Sequence, residues 1–355
     1  MKKSLLALAA LTAFAGAASA QSSVTLFGVV DLGARNVKNG NAGDMSTLST
    51  DGMGSSRLGF RGVEDLGGGM RAGFWLEGAI AADVGGGAKT GATANGSTAN
   101  GQDWQRRATV SLMGGFGELR LGRDYTPSFW NTTVFDPFGT NGVGASTNVW
   151  AQATPGGAAT AATTQVRANN SIGYFLPAMG GVYGQLMVAA GEGVQGNKYT
   201  GGRLGYSAGP LNIAAAYGVT DRTLGMVDDV TDFNLGGSFK VGMVTLMGQY
   251  RTSEQGVAKN TGYLVGALAP MGKMGTLKAS YNSTEFKNGA ASPKANQFAL
   301  GYIHSLSKRT NLYAHYSQID NDAGLARTAS SGGPSFGTRT GQKSTGYEFG
   351  INHTF

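Results

Sequence analysis

No cysteine occurs in the 355 residues, so no disulfide framework holds this fold. Charge is scarce as well: Asp, Glu, Lys and Arg make up 14% of the chain, against roughly 25% in ordinary soluble domains. Beyond the amino-terminal segment there is no run of eighteen or more apolar residues, which excludes a transmembrane helix. The formal charge is +7, yet no Lys/Arg run of the kind that marks nucleic-acid tails accompanies it, and nucleic acid is excluded as a partner. His304, His315 and His353 stand isolated, without ligand spacing or a Ser/Asp neighbourhood. No metal site, cofactor or hydrolytic triad is expected from them, and the chain does not read as an enzyme.

What is present begins with a secretory signal. Lys2 and Lys3 form a positive segment, 5–18 an apolar one, and Ala18-Ser19-Ala20 a small-residue cleavage site. Residues 1–20 are expected to be removed, leaving 21–355 as a single domain outside the cytoplasm. The far end is more telling. In Thr345-Gly346-Tyr347-Glu348-Phe349-Gly350-Ile351-Asn352-His353-Thr354-Phe355, odd positions read Tyr, Phe, Ile, His, Phe, and even positions Gly, Glu, Gly, Asn, Thr. Side chains alternate along a strand, so this ribbon has one greasy and one polar side. On a soluble protein such an edge invites aggregation; in a bilayer it closes a barrel.

The rest repeats the unit. Segment 56–62 turns at Gly67-Gly68-Gly69 into 71–77; 107–112 turns at Gly114-Gly115-Phe116-Gly117 into 119–122; later pairs follow at 172–188, 204–219, 233–250, 263–281 and 298–316. With 24–33 and the closing ribbon, about sixteen strands result, an even number. Short turns alternate with long polar stretches at 36–55, 81–103, 125–166, 190–199, 219–231, 252–259, 284–295 and 320–343. Ten residues at ~3.4 Å each, tilted ~45°, span roughly 24 Å, close to the apolar band of a membrane barrel. The expected fold is all-β: a 16-stranded antiparallel transmembrane β-barrel with short periplasmic turns and long extracellular loops. Gly67-Gly68-Gly69 lies in a hairpin turn and is no phosphate loop. Loop aspartates such as Asp44, Asp51, Asp228, Asp229 and Asp232 read as solvated or as weak divalent-cation ligands. Trp104, Trp130 and Trp150 lie at loop ends, either anchoring the interface or packing a loop.

Several segments, in order, resemble one family. They are Ser23-Val24-Thr25-Leu26-Phe27-Gly28, Ser56-Arg57-Leu58-Gly59, Glu64-Asp65-Leu66-Gly67-Gly68-Gly69, Leu121-Gly122-Arg123, Asn170-Ser171-Ile172, Leu306-Ser307-Lys308-Arg309-Thr310 and the terminal Phe355. Together they are similar to the trimeric general porins of Gram-negative outer membranes, of the beta-proteobacterial type. The resemblance implies a homotrimer in outer-membrane lipid and lipopolysaccharide, passive diffusion of small hydrophilic solutes and ions, and a third long loop folded into the pore. It also implies that the barrel assembly machinery reads Phe355.

An Arg on the lipid face at mid-depth costs roughly 2–4 kcal/mol. Strand arginines flanked by apolar residues therefore face the lumen, which selects Arg57, Arg61, Arg71, Arg107 and Arg120. The resemblance places an arginine cluster at the constriction, carried here by Arg57, Arg106 or Arg107, Arg123 and Arg167. Parity favours Arg107 over Arg106, because Ala108, Val110 and Leu112 mark the lipid face. Parity opposes Arg123 unless a bulge after Gly122 re-aims it. Opposite the basic wall the family carries acidic residues on the inward loop. This chain offers a single charged residue there, Asp136, and Glu77 is the other lumen carboxylate expected at the constriction. The balance implies an anion-preferring pore. The alternative is a substrate-selective anion channel of the same fold, taking organic acids or phosphate.

Overall fold

The computed structural model describes residues 23–86, 103–150, 164–194, 196–222, 228–330 and 340–355. The expected signal at 1–20 and the tips of the second and third long loops lie outside them. The strands are β1 (Ser23–Asn39), β2 (Asp44–Thr50), β3 (Arg57–Gly67), β4 (Met70–Ala79), β5 (Arg107–Gly114), β6 (Gly117–Tyr125), β7 (Arg167–Phe175), β8 (Val182–Ala189) and β9 (Lys198–Ala208). They continue as β10 (Leu211–Asp221), β11 (Val230–Val241), β12 (Val244–Gln255), β13 (Ala258–Met271), β14 (Gly275–Asn288), β15 (Lys294–Ser305), β16 (Thr310–Asn321) and β17 (Ser344–Thr354). From β3 to β17 each strand pairs antiparallel with the next, β2 and β3 both pair with β1, and β17 returns to β1 from Val29↔Thr354 to Asn39↔Ser344. The sheet thus has no edge, as a structure surrounded by hydrocarbon requires.

Seventeen segments make sixteen staves, because β2 and β3 pair in succession with the upper and lower halves of β1. Asp31 causes the interruption. Its buried carboxylate accepts the backbone N–H groups of Gly52, Met53 and Gly54 at 3.0, 3.0 and 2.8 Å, drawing the chain out of the ladder between the two halves. Segment 36–55, expected as loop, is therefore largely strand. The same correction holds for 252–259, where only Gly256 and Val257 separate β12 from β13, and for 284–295. Strands run from 7 to 17 residues and are not uniform in length. Beyond the apolar band a paired ladder still satisfies more backbone groups than an open loop does.

The faces are as the alternation requires. On β17, Tyr347, Phe349 and Ile351 are exposed outward while Glu348 and Asn352 are buried inward. Phe355 extends the closure: it exchanges backbone hydrogen bonds with Gly28 at 3.0 and 3.1 Å, and its ring occupies the space that a Cβ on Gly28 would need. Among the described residues no helix is long and apolar enough to cross a membrane.

The third long loop, between β6 and β7, folds into the barrel. Its helix α1 (Pro127–Val134) starts where Thr126 Oγ1 accepts the Phe129 N–H and Pro127 presets the first turn. It stops at Phe135, because the residue before Pro137 disfavours helical backbone. Polar side chains of the far wall hold the loop in place. Asn234 Nδ2 donates to Ser128 O (2.9 Å), Gln249 Nε2 to Thr132 O (2.8 Å) and Gln297 Nε2 to Val143 O (3.1 Å). Glu348, itself paired with Arg35 at 2.7 Å and with His315 at 3.1 Å, accepts the Val143 N–H. Two wall glycines are sockets: a Cβ on Gly236 would collide with the Phe135 ring, and one on Gly266 would stand 2.6 Å from Pro137. The loop thereby fills the β10–β17 side and leaves the β3–β7 side open.

Candidate pore constriction

Two cavities, of about 650 and 750 Å³, border that open side, and the first also reaches across to β11 and β12 at Asn234 and Arg251. They share Ser55, Arg106, Phe129, Thr140, Asn141, Val166 and Arg167, so these residues ring the neck between the chambers. On one side of the neck stand wall arginines. On the other the inward loop presents a ring, a hydroxyl and an amide, with no carboxylate among its described residues there.

The lower chamber, toward the short turns, is lined by Arg57, Arg61, Arg106, Arg107, Arg120 and Arg167 against two carboxylates among the described residues, Glu77 and Asp124. Both carboxylates are paired. Glu77 is 2.6 Å from Arg106 Nε and 3.9 Å from Arg57 Nε, and also accepts Trp75 Nε1 at 3.0 Å. Asp124 is 2.6 Å from Arg120 Nη1 and 3.7 Å from Arg107 Nε. Glu118 also holds Arg120 at 2.8 Å, so six guanidinium groups stand against three carboxylates; the surface stays net positive, and its low-dielectric walls focus that field. Aromatic rings hold the cations in place: Arg107 lies 4.5 Å over Trp75, Arg120 3.9 Å over Phe175 and Arg167 4.3 Å over Tyr125. Arg61 lies over both Phe27 and Trp75.

Arg57, Arg61, Arg107, Arg120, Arg167 and Glu77 therefore meet at or beside the neck. Arg106 joins them, against the parity that favoured Arg107 alone. It precedes the first residue of β5, its N–H donates to Glu77 O, and ladder alternation does not bind it. Arg123 is also re-aimed. The β6–β7 register shifts between Gly122 and Asp124, Gly122 adopts φ +125°, and Arg123 enters the upper chamber to donate to Asn169 and to Gln105 O. Arg71 keeps the lumen parity of Trp75 and Glu77 but lies at the turn end of β4, outside both chambers.

Asp136 corrects the expectation. It is buried in the loop and lines neither chamber; its carboxylate accepts the N–H groups of Phe138 (2.8 Å) and Ser146 (2.9 Å). An acidic residue two positions before a free backbone N–H folds back on its own turn, and here that wins over the pore. Asp51 and Asp229 act similarly, accepting from Ser56 N and Arg222 N instead of standing solvated. Of the tryptophans, Trp130 faces the lower chamber, Trp150 covers Arg251 at 4.6 Å, and Trp104 meets Phe60 edge-on.

Lumen-side cations not anticipated from the sequence are Arg203, Arg251 and Lys278. Arg203 Nε donates to Asn131 Oδ1 at 2.8 Å, and Lys278 stands 4.6 Å over Phe138. Arg251 lines the upper chamber, 1% exposed, and its three guanidinium nitrogens have no hydrogen-bond partner among the described residues. The apolar-neighbour rule that found Arg107 also finds Arg203, between Gly202 and Leu204, and Lys278, between Leu277 and Ala279.

Comparison with known proteins agrees with this architecture. A family model described as Gram-negative porin matches residues 7–324. The chain is 39% identical over its full length to the full length of outer membrane porin protein 32 of Delftia acidovorans. It is 31% identical, again over both full lengths, to an outer membrane porin protein of Bordetella pertussis. Among solved structures, an anion-selective porin from Comamonas acidovorans superposes with a TM-score of 0.81 at 36% identity, over 94% of this chain and 100% of the other. A trimer form of OmpT from Vibrio cholerae shares the fold at 15% identity, TM-score 0.67, over 94% of this chain and 99% of the other. With a closed sixteen-stave barrel, an inward third loop and a charged aqueous neck, the chain belongs to the Gram-negative porin family, whose members are non-enzymatic β-barrel channels of the outer membrane.

Proposed function

We propose that this porin passes small hydrophilic solutes and ions by passive diffusion and prefers anions at its neck. One observation carries the reading: the wall arginines at the neck face a loop lip of Phe129, Thr140 and Asn141, and the carboxylates beside them are already paired. A unit charge acts with ~1 kcal/mol at 4 Å in water and more beside low-dielectric walls. A surplus of two or three positive charges therefore biases passage about tenfold toward anions. The anion selectivity named for the Comamonas acidovorans structure supports this. The constriction set is Arg57, Arg106, Arg107, Arg123 and Arg167 with Glu77, and Arg61 and Arg120 extend it downward.

Cleavage after Ala20 leaves one barrel domain. The working unit is a homotrimer, as the trimer form of the Vibrio cholerae relative supports, embedded among lipid and lipopolysaccharide. The exposed Phe355 ring at the barrel seam is what the assembly machinery reads. The deciding measurement is single-channel reversal potential in a KCl gradient. Chloride should be preferred over potassium, and Arg57→Ser with Arg107→Ser should weaken that preference several-fold; a potassium-preferring wild type refutes the proposal. A second reading, a substrate-selective anion channel, is favoured by Arg251, whose guanidinium has no hydrogen-bond partner among the described residues, in the same chamber as Arg106, Arg123 and Arg167. Block of chloride current by millimolar organic acids distinguishes it from unspecific diffusion.

A further inference from the structure

We propose that the lower chamber recognises planar aromatic carboxylates, a substrate class that deepens the anion-preferring reading above and rests on it. In a membrane barrel, rings belong on the outer girdles. Here Phe27, Trp75, Tyr125, Phe129, Trp130 and Phe175 line the inside of one chamber of about 750 Å³, among six arginines. Two of these rings come from α1: Phe129 at the lip of the neck and Trp130 below it in the lower chamber. Phe129 is shared by both chambers and faces Arg106 and Arg167 across it, and Trp130 is 40% exposed to the lumen. Tyr125 backs both, with ring centroids 5.1 Å from Phe129 and 5.5 Å from Trp130 at interplanar angles of 28° and 30°.

The opposite wall supplies the complementary half. Arg107 and Arg167 stand over Trp75 and Tyr125 and are anchored through Nε, to Thr109 Oγ1 and Arg106 O, so their Nη sides are what an oxyanion meets in two-pronged fashion; Arg120, over Phe175, is already held by Glu118 and Asp124. A solute that crosses this chamber meets cations on one side and ring faces on the other. Chloride uses only the first. An aliphatic acid uses the first and gains apolar contact. A benzoate-type anion uses both, its carboxylate on the arginine wall and its ring against Trp130 and Phe129.

Planar-bilayer recordings in KCl with added benzoate, cyclohexanecarboxylate or acetate test this. In the wild type, benzoate should block the chloride current at a concentration roughly three- to tenfold lower than cyclohexanecarboxylate, the range that aromatic stacking supports, with acetate weakest. Trp130→Leu, which keeps an apolar side chain at an exposed position, should shrink the benzoate advantage to twofold or less. Phe129→Leu serves as an independent second variant, and heat-modifiable gel migration verifies folding of both. Equal block by the two ring acids in the wild type overturns the proposal, as does an advantage that survives in both variants. A wild type that prefers potassium before any acid is added sinks the underlying anion reading instead, so the two failures are told apart.

Discussion

Asp136→Asn separates a loop brace from a pore charge. In the folded loop its two carboxylate oxygens accept from Phe138 N at 2.8 Å and from Ser146 N at 2.9 Å, in a buried site. Asparagine keeps the shape but offers a single oxygen, and its amide nitrogen meets the other N–H donor to donor. Hydrogen bonds to charged groups contribute about 1.5–3 kcal/mol, and a buried donor left unmet costs about 1–3 kcal/mol. The turn between Phe135 and Ser146 should therefore lose roughly 2–4 kcal/mol. That turn seats Phe135 and Phe138 against the wall and carries Thr140 and Asn141 to the neck. Open-channel current noise should rise, and the thermal transition of the folded barrel in detergent should fall. The chloride-to-potassium ratio should stay within about twofold, since Asp136 lines neither chamber. A carboxylate exposed among the neck arginines would act at ~1 kcal/mol or more, so its removal would raise that ratio about fivefold. A fivefold rise with unchanged noise and melting refutes the brace assignment.

Two further outcomes follow from the same geometry. Arg251→Met should fold normally and melt at or above the wild-type temperature, because it replaces a buried guanidinium that has no hydrogen-bond partner among the described residues with an apolar side chain under Trp150. The same variant should lower the chloride-to-potassium ratio, and a melting temperature ten degrees or more below wild type contradicts the assignment. Leu300→Arg places a cation on the lipid face at the middle of β15, where Leu300 is exposed and its neighbour Ala299 is fully buried. Urea unfolding from lipid vesicles should show a loss of about 2–4 kcal/mol, and an unchanged midpoint means that this face does not look at hydrocarbon.

Period-two alternation was enough to sort inside from outside. Tyr347 and Glu348 point opposite ways for the same reason that Leu58 and Arg57 do, and a mid-depth charge on the lipid side would be too costly. Glycine punctuation likewise located the short turns. Alternation breaks down where the ladder itself does. Arg106 stands one residue before β5 begins, and Arg123 stands at a register shift, so neither obeys the parity of its neighbours. Parity stated correctly that only a bulge could turn Arg123 inward, but whether Gly122 would adopt φ +125° depends on the strand opposite. The upper strand extensions were missed because polar residues such as those of Asp44–Thr50 read as loop when the partner ladder is unseen.

The inward loop was legible only by resemblance, and the reason is the range of its contacts. Gly236 and Gly266 look like any other glycine in a barrel strand, yet each is required by a residue more than a hundred positions away, Phe135 or Pro137. Asn234, Gln249, Gln297 and Glu348 read as generic lumen polarity; in the structure they hold carbonyls and an N–H of the loop. Local pattern thus decides that there is a hole and which side chains line its wall. The width and lining of the neck are decided by how one mostly uncharged loop docks on the far wall. That docking is why the lip opposite the arginines carries Phe129, Thr140 and Asn141, while the loop's one carboxylate in this stretch, Asp136, turns away to bind its own backbone.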